Sequence, residues 1–274
     1  MASDNSPSFW DHLDELRSVI IRSLIVWAAC FMLLFVLKKY LFLFLFAPAS
    51  SEFVSYRLMC RLAVWLHLPS LCPSAFEVSF INVELAAQFV VHLQAAFWGG
   101  LVLASPFIVY QLYGFVLPAL YERERRYFGS VLVSAILLFL CGVLLNYFII
   151  FPFTFRFLGT YQVYEGVVNQ ISLTSYIGAI LSMSLIMGLL FEIPILAYFL
   201  ARMGVITAEM LKRYRRHAIL AIVILAAVIT PTGDAFTLML VSVPIWLLYE
   251  LSIWIVKRQE RLALTRNNNH NLSY

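Results

Sequence analysis

Two groups of residues in this 274-residue chain have the types and spacing to do chemistry, and both centre on carboxylates in unusual company. The first is the cluster Glu122, Arg123, Glu124, Arg125 and Arg126, within the stretch QLYGFVLPALYERERRYF from Gln111 to Phe128. A mixed cluster at the end of a span ordinarily caps it and fixes its orientation. That accounts for the arginines, but not for carboxylates beside the apolar and aromatic Phe115, Leu120 and Tyr121. Pro118 marks a turn between them, because it has no N–H to give a helix and disfavours the α region in its predecessor. The second is Glu192, in FEIPI, ten residues before Arg202 and so about 15 Å along a helix. An ionisable group that deep costs at least ~2.5 kcal/mol and marks a bundle interior or a wet cavity. Pro194 also frees the carbonyl of Leu190 beside it. The alternative is a protonated glutamic acid that holds a neighbouring helix.

Other polar residues have local readings. Asp234, in TPTGDAF, is placed to N-cap the helix that follows. Glu250 is expected to reach the interface or pair with Lys257. Cys60 and Cys72 share a loop on the side away from most of the basic residues, where an oxidising compartment permits a disulfide; the alternative is two unpaired thiols. His67 between them does not make a zinc motif. Cys30 and Cys141 sit in apolar runs as small hydrophobes. No phosphate-binding loop, nucleophile elbow, HExxH or dinucleotide fingerprint is present. The sequence therefore predicts neither an enzyme, nor a cofactor, nor a metal site.

The composition dictates what must position these groups. The chain is 62% hydrophobic and 12% charged, with mean hydropathy +0.88. A soluble domain is nearer half apolar and a quarter charged, so this is an all-α membrane protein. Apolar runs predict six transmembrane helices, at about 19–37, 85–110, 127–151, 175–201, 217–230 and 235–256. Ahead of the first, Phe9, Leu13, Leu16 and Ile20 recur at helical spacing and predict a short amphipathic interfacial helix. The start, MASDNSPSFWDHLDELRS, is polar and acidic where a signal peptide would be basic. Residues 38–83 read as a long polar-aromatic loop and 257–274 as a polar cytoplasmic tail. We expect one polytopic domain over residues 1–274. The fifth span is short, about 20 Å from Ala218 to Thr230 against a core of about 30 Å.

Of the 19 Lys and Arg residues, fourteen fall on the side that holds both termini and five on the other. The basic excess puts both termini in the cytoplasm. The net charge of +4 reflects this scatter among spans rather than a nucleic-acid footprint.

The motifs HLDELR (12–17), SPFIVYQLYGFVLPALYERERR (105–126), NYFIIFPFTFRFL (146–158), FEIPI (191–195), TPTGD (230–234) and the P-x-x-x-L-Y-E at 244–250 follow one another at a recognisable spacing. In this series the chain resembles the TatC family, the C subunit of the twin-arginine protein translocase, over roughly residues 9–258. The resemblance implies a protein of the bacterial inner membrane that exports folded proteins bearing paired-arginine signal peptides. The proton-motive force would power it, and single-span TatA- and TatB-type subunits would complete it as a homo- or hetero-oligomer. It implies signal-peptide binding by Glu15 and Glu124, with Arg17, Phe115, Pro118, Leu120, Tyr121, Arg125 and Arg126 around them. A guanidinium pairs with a carboxylate in a bidentate fork, so two carboxylates suit two arginines. It also implies a partner-helix docking region at Thr230, Asp234 and Leu238. Two departures stand out: the long first outer loop with its two cysteines, and Leu238, where the family often has a glutamine. The rival reading is a proton-coupled small-solute transporter using Glu192, against which the chain shows no inverted repeat.

Overall fold

A computed structural model of the chain describes residues 9–65, 67, 79–116, 128–162, 164, 169–230 and 233–271. Among the described residues, five helical stretches are long and apolar enough to cross a membrane: Leu13–Val36, Ala87–Phe115, Gly129–Thr160, Leu173–Arg202 and Ala235–Leu262. They match the first four expected spans and the sixth. The expected fifth is helix α10, Arg215–Ile229, whose 15 residues make about 22 Å, so it is as short as its sequence implies.

The first helix, α1, runs unbroken over Phe9–Val36. The amphipathic segment expected ahead of span 1 is the beginning of that same helix, since no glycine or proline interrupts it. The described part of the expected loop 38–83 is also more regular than its composition suggested. It contains α2 (Lys38–Phe46), a 3₁₀ turn at Ala47–Ala49, α3 (Val54–Trp65) and strand β1 (Ser79–Ile81). Further on come α4 (Ala87–Val116), α5 (Phe128–Leu145), a π-helical turn at Asn146–Ile150 and α6 (Phe151–Thr160). Strand β2 (Gln170–Ser172) pairs in parallel with β1, Phe80 opposite Ile171. Then follow α7 (Leu173–Leu190), α8 (Ile193–Arg202), α9 (Ala208–Arg213), α10 and α11 (Ala235–Asn271).

By their contacts the residues form two compact units, Met1–Phe44 with Ala86–Leu137, and Leu45–Leu85 with Leu138–Tyr274. In the first, α1 packs on α4 through a pair of glycines. A Cβ built on Gly100 would lie 2.8 Å from the Phe31 nitrogen, so the two backbones touch there. In lipid, where no hydrophobic force draws helices together, such close approach is a principal source of association. Aromatic groups flank the crossing. The Trp27 indole donates to the Phe97 carbonyl at 3.2 Å, and the His92 ring stacks on Phe35 at 4.2 Å.

In the second unit, prolines interrupt helices and side chains repair the damage. Pro152 has no N–H, so the carbonyl of Phe148, four residues earlier, loses its helical donor. The Ser55 hydroxyl of α3 donates to that carbonyl instead. Next to it, the Tyr56 hydroxyl donates to the Pro152 carbonyl at 2.7 Å. Burial pushes the Tyr56 phenol well above its usual range, so it remains a donor. The helix thus continues through α6 to Thr160, beyond the expected end of the third span at about 151. The buried Tyr176 ring stacks on Phe46 at 5.4 Å and meets Phe80, Phe151 and Phe155 edge-on, and its hydroxyl donates to the Leu45 carbonyl at 2.8 Å. This cluster holds the β1–β2 pair and the end of α2 to α6 and α7. In the last turn of α5, a Cβ on Gly142 would sit 2.6 Å from the Met187 carbonyl of α7. One turn on, the buried Asn146 amide donates to Ser184 at 2.8 Å.

Gly100→Val should cost about 1–3 kcal/mol by forcing α1 and α4 apart. Gly114→Ala, with open space around its Cβ, should be neutral or slightly stabilising. Thermal unfolding of both variants in the same detergent checks this. Equal melting temperatures for Gly100→Val and the parent would show that the α1–α4 contact is not tight.

Candidate functional site

Glu15 and Arg17 lie on the early turns of α1, and both side chains are exposed. Phe115 lies in the last turn of α4, half-buried. The two helices run antiparallel, with Phe31 against Gly100 and Phe35 against His92. Glu15 is sixteen residues before Phe31 and Phe115 is fifteen after Gly100, about 24 and 22 Å of helix respectively. Both therefore arrive at the same end of the α1–α4 pair, and in sequence the charged cluster follows α4 there. Pro118, Leu120, Tyr121, Glu122, Glu124, Arg125 and Arg126 lie outside the described residues.

Glu192 occupies the break between α7 and α8, at the N-cap of α8, with Pro194 in the first turn of that helix. Both its carboxyl oxygens are shielded, and neither has a hydrogen-bond partner among the described residues. A buried polar group is normally hydrogen-bonded, since leaving it bare costs kcal/mol. Among the described residues, therefore, no hydrogen bond accounts for this carboxyl within the apolar stretch 173–202.

Asp234 caps α11. One carboxylate oxygen accepts the Thr237 N–H at 2.9 Å and the other accepts the Thr237 hydroxyl. Thr230 is buried at the end of α10, its hydroxyl without a partner among the described residues. Leu238 is half-buried one turn into α11. Glu250 does not pair with Lys257 but with Arg215, at 2.8 Å. The start of α10 lies alongside α11, and this cross-helix neighbour has no signature in the local sequence. Cys60 is disulfide-bonded, Cys30 and Cys141 are free, and Cys72 lies outside the described residues.

Three anchoring residues escaped the sequence reading. Ser55 and Tyr56 were legible only from the other side, as the donors that the carbonyls around Pro152 would need. Glu260, in the presumed tail, accepts the Ala208 N–H at 2.8 Å and so completes the start of α9. That tail segment is helical: α11 continues to Asn271. Among the described residues no three His, Cys, Asp or Glu side chains converge as metal ligands.

A family model described as Sec-independent protein translocase protein (TatC) matches residues 11–244. The Sec-independent protein translocase protein TatC of Blattabacterium sp. subsp. Periplaneta americana (strain BPLAN) is 35% identical over 254 residues, 92% of this chain and 95% of that protein. TatC of Aquifex aeolicus (strain VF5) is 33% identical over 254 residues, with the same two coverages. A crystal structure of the twin arginine translocase receptor TatC superposes with a TM-score of 0.70 at 32% identity, covering 90% of this chain and 98% of that one. Apolar spans, broken helices and sequence thus agree: the chain belongs to the TatC family, as a multi-pass inner-membrane component of a protein translocase and not an enzyme.

Proposed function

We propose that the chain is the signal-receiving subunit of a twin-arginine translocase, reading the paired arginines with Glu15 and Glu124 at its cytoplasmic face. The observation that carries this reading is the antiparallel α1–α4 pair. It brings the exposed Glu15 and the chain leading into the Glu122–Arg126 cluster to one end. Each carboxylate would take one guanidinium in a bidentate fork, with Phe115, Pro118, Leu120 and Tyr121 offering apolar contacts to the flanking signal residues. Arg17, Arg125 and Arg126 would stand around the two carboxylates and help to hold them in place. The excess of Lys and Arg on the side of the termini supports a cytoplasmic location for both. Single-span TatA- and TatB-type partners would dock at the outer ends of α10 and α11, around Thr230 and Asp234. Leu238 there offers packing in place of a hydrogen bond. The proton-motive force would drive the later steps.

Each charge-assisted contact is worth about 1.5–3 kcal/mol. Glu124→Gln should therefore weaken signal-peptide affinity about 10-fold or more, and Glu122→Gln should be tolerated. Binding to both variants in the same membranes decides between them. Loss in Glu122→Gln alone would assign the site to the other carboxylate.

Glu192 acts after binding. Glu192→Ala should reduce export roughly tenfold and leave signal-peptide crosslinking within about twofold of the parent. Loss of both in a folded variant would contradict the assignment. Cys60 is expected to bond Cys72 on the outer face, so thiol labelling should read two thiols before reduction and four after it. Four reactive thiols without reductant would rule the bond out.

A further inference from the structure

We propose that the corner between α9 and α10 binds the headgroup of an anionic phospholipid. Lys212 and Arg213 end α9, Tyr214 turns the chain, and Arg215, Arg216 and His217 open α10. Of the four Lys and Arg residues, Arg215 alone is neutralised among the described residues, by Glu250 at 2.8 Å. Lys212, Arg213 and Arg216 are exposed and make no ion pair among the described residues. Glu209, one turn before Lys212 and Arg213, is exposed but is not paired with either.

A basic excess that served only to orient the chain could sit on floppy loops. These cations stand on a corner pinned to α11 at three points. Glu260 accepts the Ala208 N–H at 2.8 Å, the Tyr249 hydroxyl donates to the Leu211 carbonyl at 2.7 Å, and Glu250 holds Arg215. Their depth is set as well. The 15 residues of α10 fall short of a bilayer core, which draws its first turn to the headgroups. Tyr214 at the corner and Trp254 on α11 are both more than half exposed, as aromatic residues are at a membrane–water boundary. The exposed Ile219, Leu220 and Ile224 begin directly below, one turn and more into α10. Unpaired cations above an exposed apolar strip match a phosphate above an acyl chain. Clusters of Lys and Arg beside a span attract anionic lipid in this way. An acidic protein segment would match the cations, but not the apolar strip.

The test counts phosphatidylglycerol and phosphatidylcholine molecules retained by the full-length protein, released from vesicles holding equal amounts of both, by native mass spectrometry. We expect a preference for phosphatidylglycerol of about fivefold. Lys212→Gln/Arg213→Gln/Arg216→Gln should bring it to about 1.5-fold or less. Lys38→Gln/Lys39→Gln/Arg61→Gln removes the same charge at the other end of the spans and should keep the preference. Should the first triple variant lose its thermal unfolding transition, Arg213→Gln and Arg216→Gln alone should each show part of the loss. Equal loss in both triple variants, no loss in either, or no preference in the parent would overturn the proposal. Displacement of the lipid by millimolar glycerol phosphate would also overturn it, pointing to a soluble phosphate.

Discussion

Every backbone N–H and C=O inside the hydrocarbon needs a partner, and the structure is shaped by how that demand is met where prolines refuse it. Pro152 strips the donor from the Phe148 carbonyl, and the chain answers with a π turn at Asn146–Ile150 and a hydroxyl from Ser55. That repair ties α3 of the outer segment to the long α5–α6 helix. With the Tyr56 and Tyr176 hydroxyls on two further carbonyls, it converts a loop-like sequence into an ordered cap. Pro194 is treated differently. There the helix is allowed to break at Phe191 and Glu192, and the carboxyl in the break has no hydrogen-bond partner among the described residues.

What the sequence made legible was local. The spans follow from apolar runs, the brevity of α10 from the distance between His217 and Pro231, and the Asp234 cap from its place three residues before Thr237. The depth of Glu192 follows from helix rise alone. What it hid was contact between distant segments. Glu250 is near Lys257 in sequence but meets Arg215 because α10 folds back along α11. The helices within 38–83 were masked by an aromatic composition that fits an interfacial loop equally well. Their order comes from the ring cluster around Tyr176, more than ninety residues away. The amphipathic start of α1 carries no terminator, and nothing in its periodicity distinguishes a separate surface helix from the first turns of a longer one. For the candidate site, Glu15 and Phe115 are legible as a pair at one level only once the Gly100–Phe31 contact fixes the register of α1 on α4.

The functional reading assigns different tasks to the two compact units. The first holds Glu15 on a helix fixed to α4 by backbone contact, so a carboxylate is presented on a rigid element, as recognition of a guanidinium requires. The second holds Glu192, whose carboxyl has no partner among the described residues, and the polar ends of α10 and α11, suited to steps in which a helix or an extended chain must be accepted and released. Carboxylates thus stand in two different settings in one chain: Glu15 exposed on α1, and Glu192 with shielded oxygens at the break between α7 and α8.

If two carboxylates each read one arginine, the two contacts must be separable. A double-mutant cycle tests it most directly, combining Glu15→Gln and Glu124→Gln in turn with lysine at each arginine of the signal peptide, and measuring affinity in the same membranes. The account predicts that each carboxylate couples to a different arginine by about 1 kcal/mol or more, and weakly to the other. Equal, additive losses in every combination, with no coupling, would contradict it.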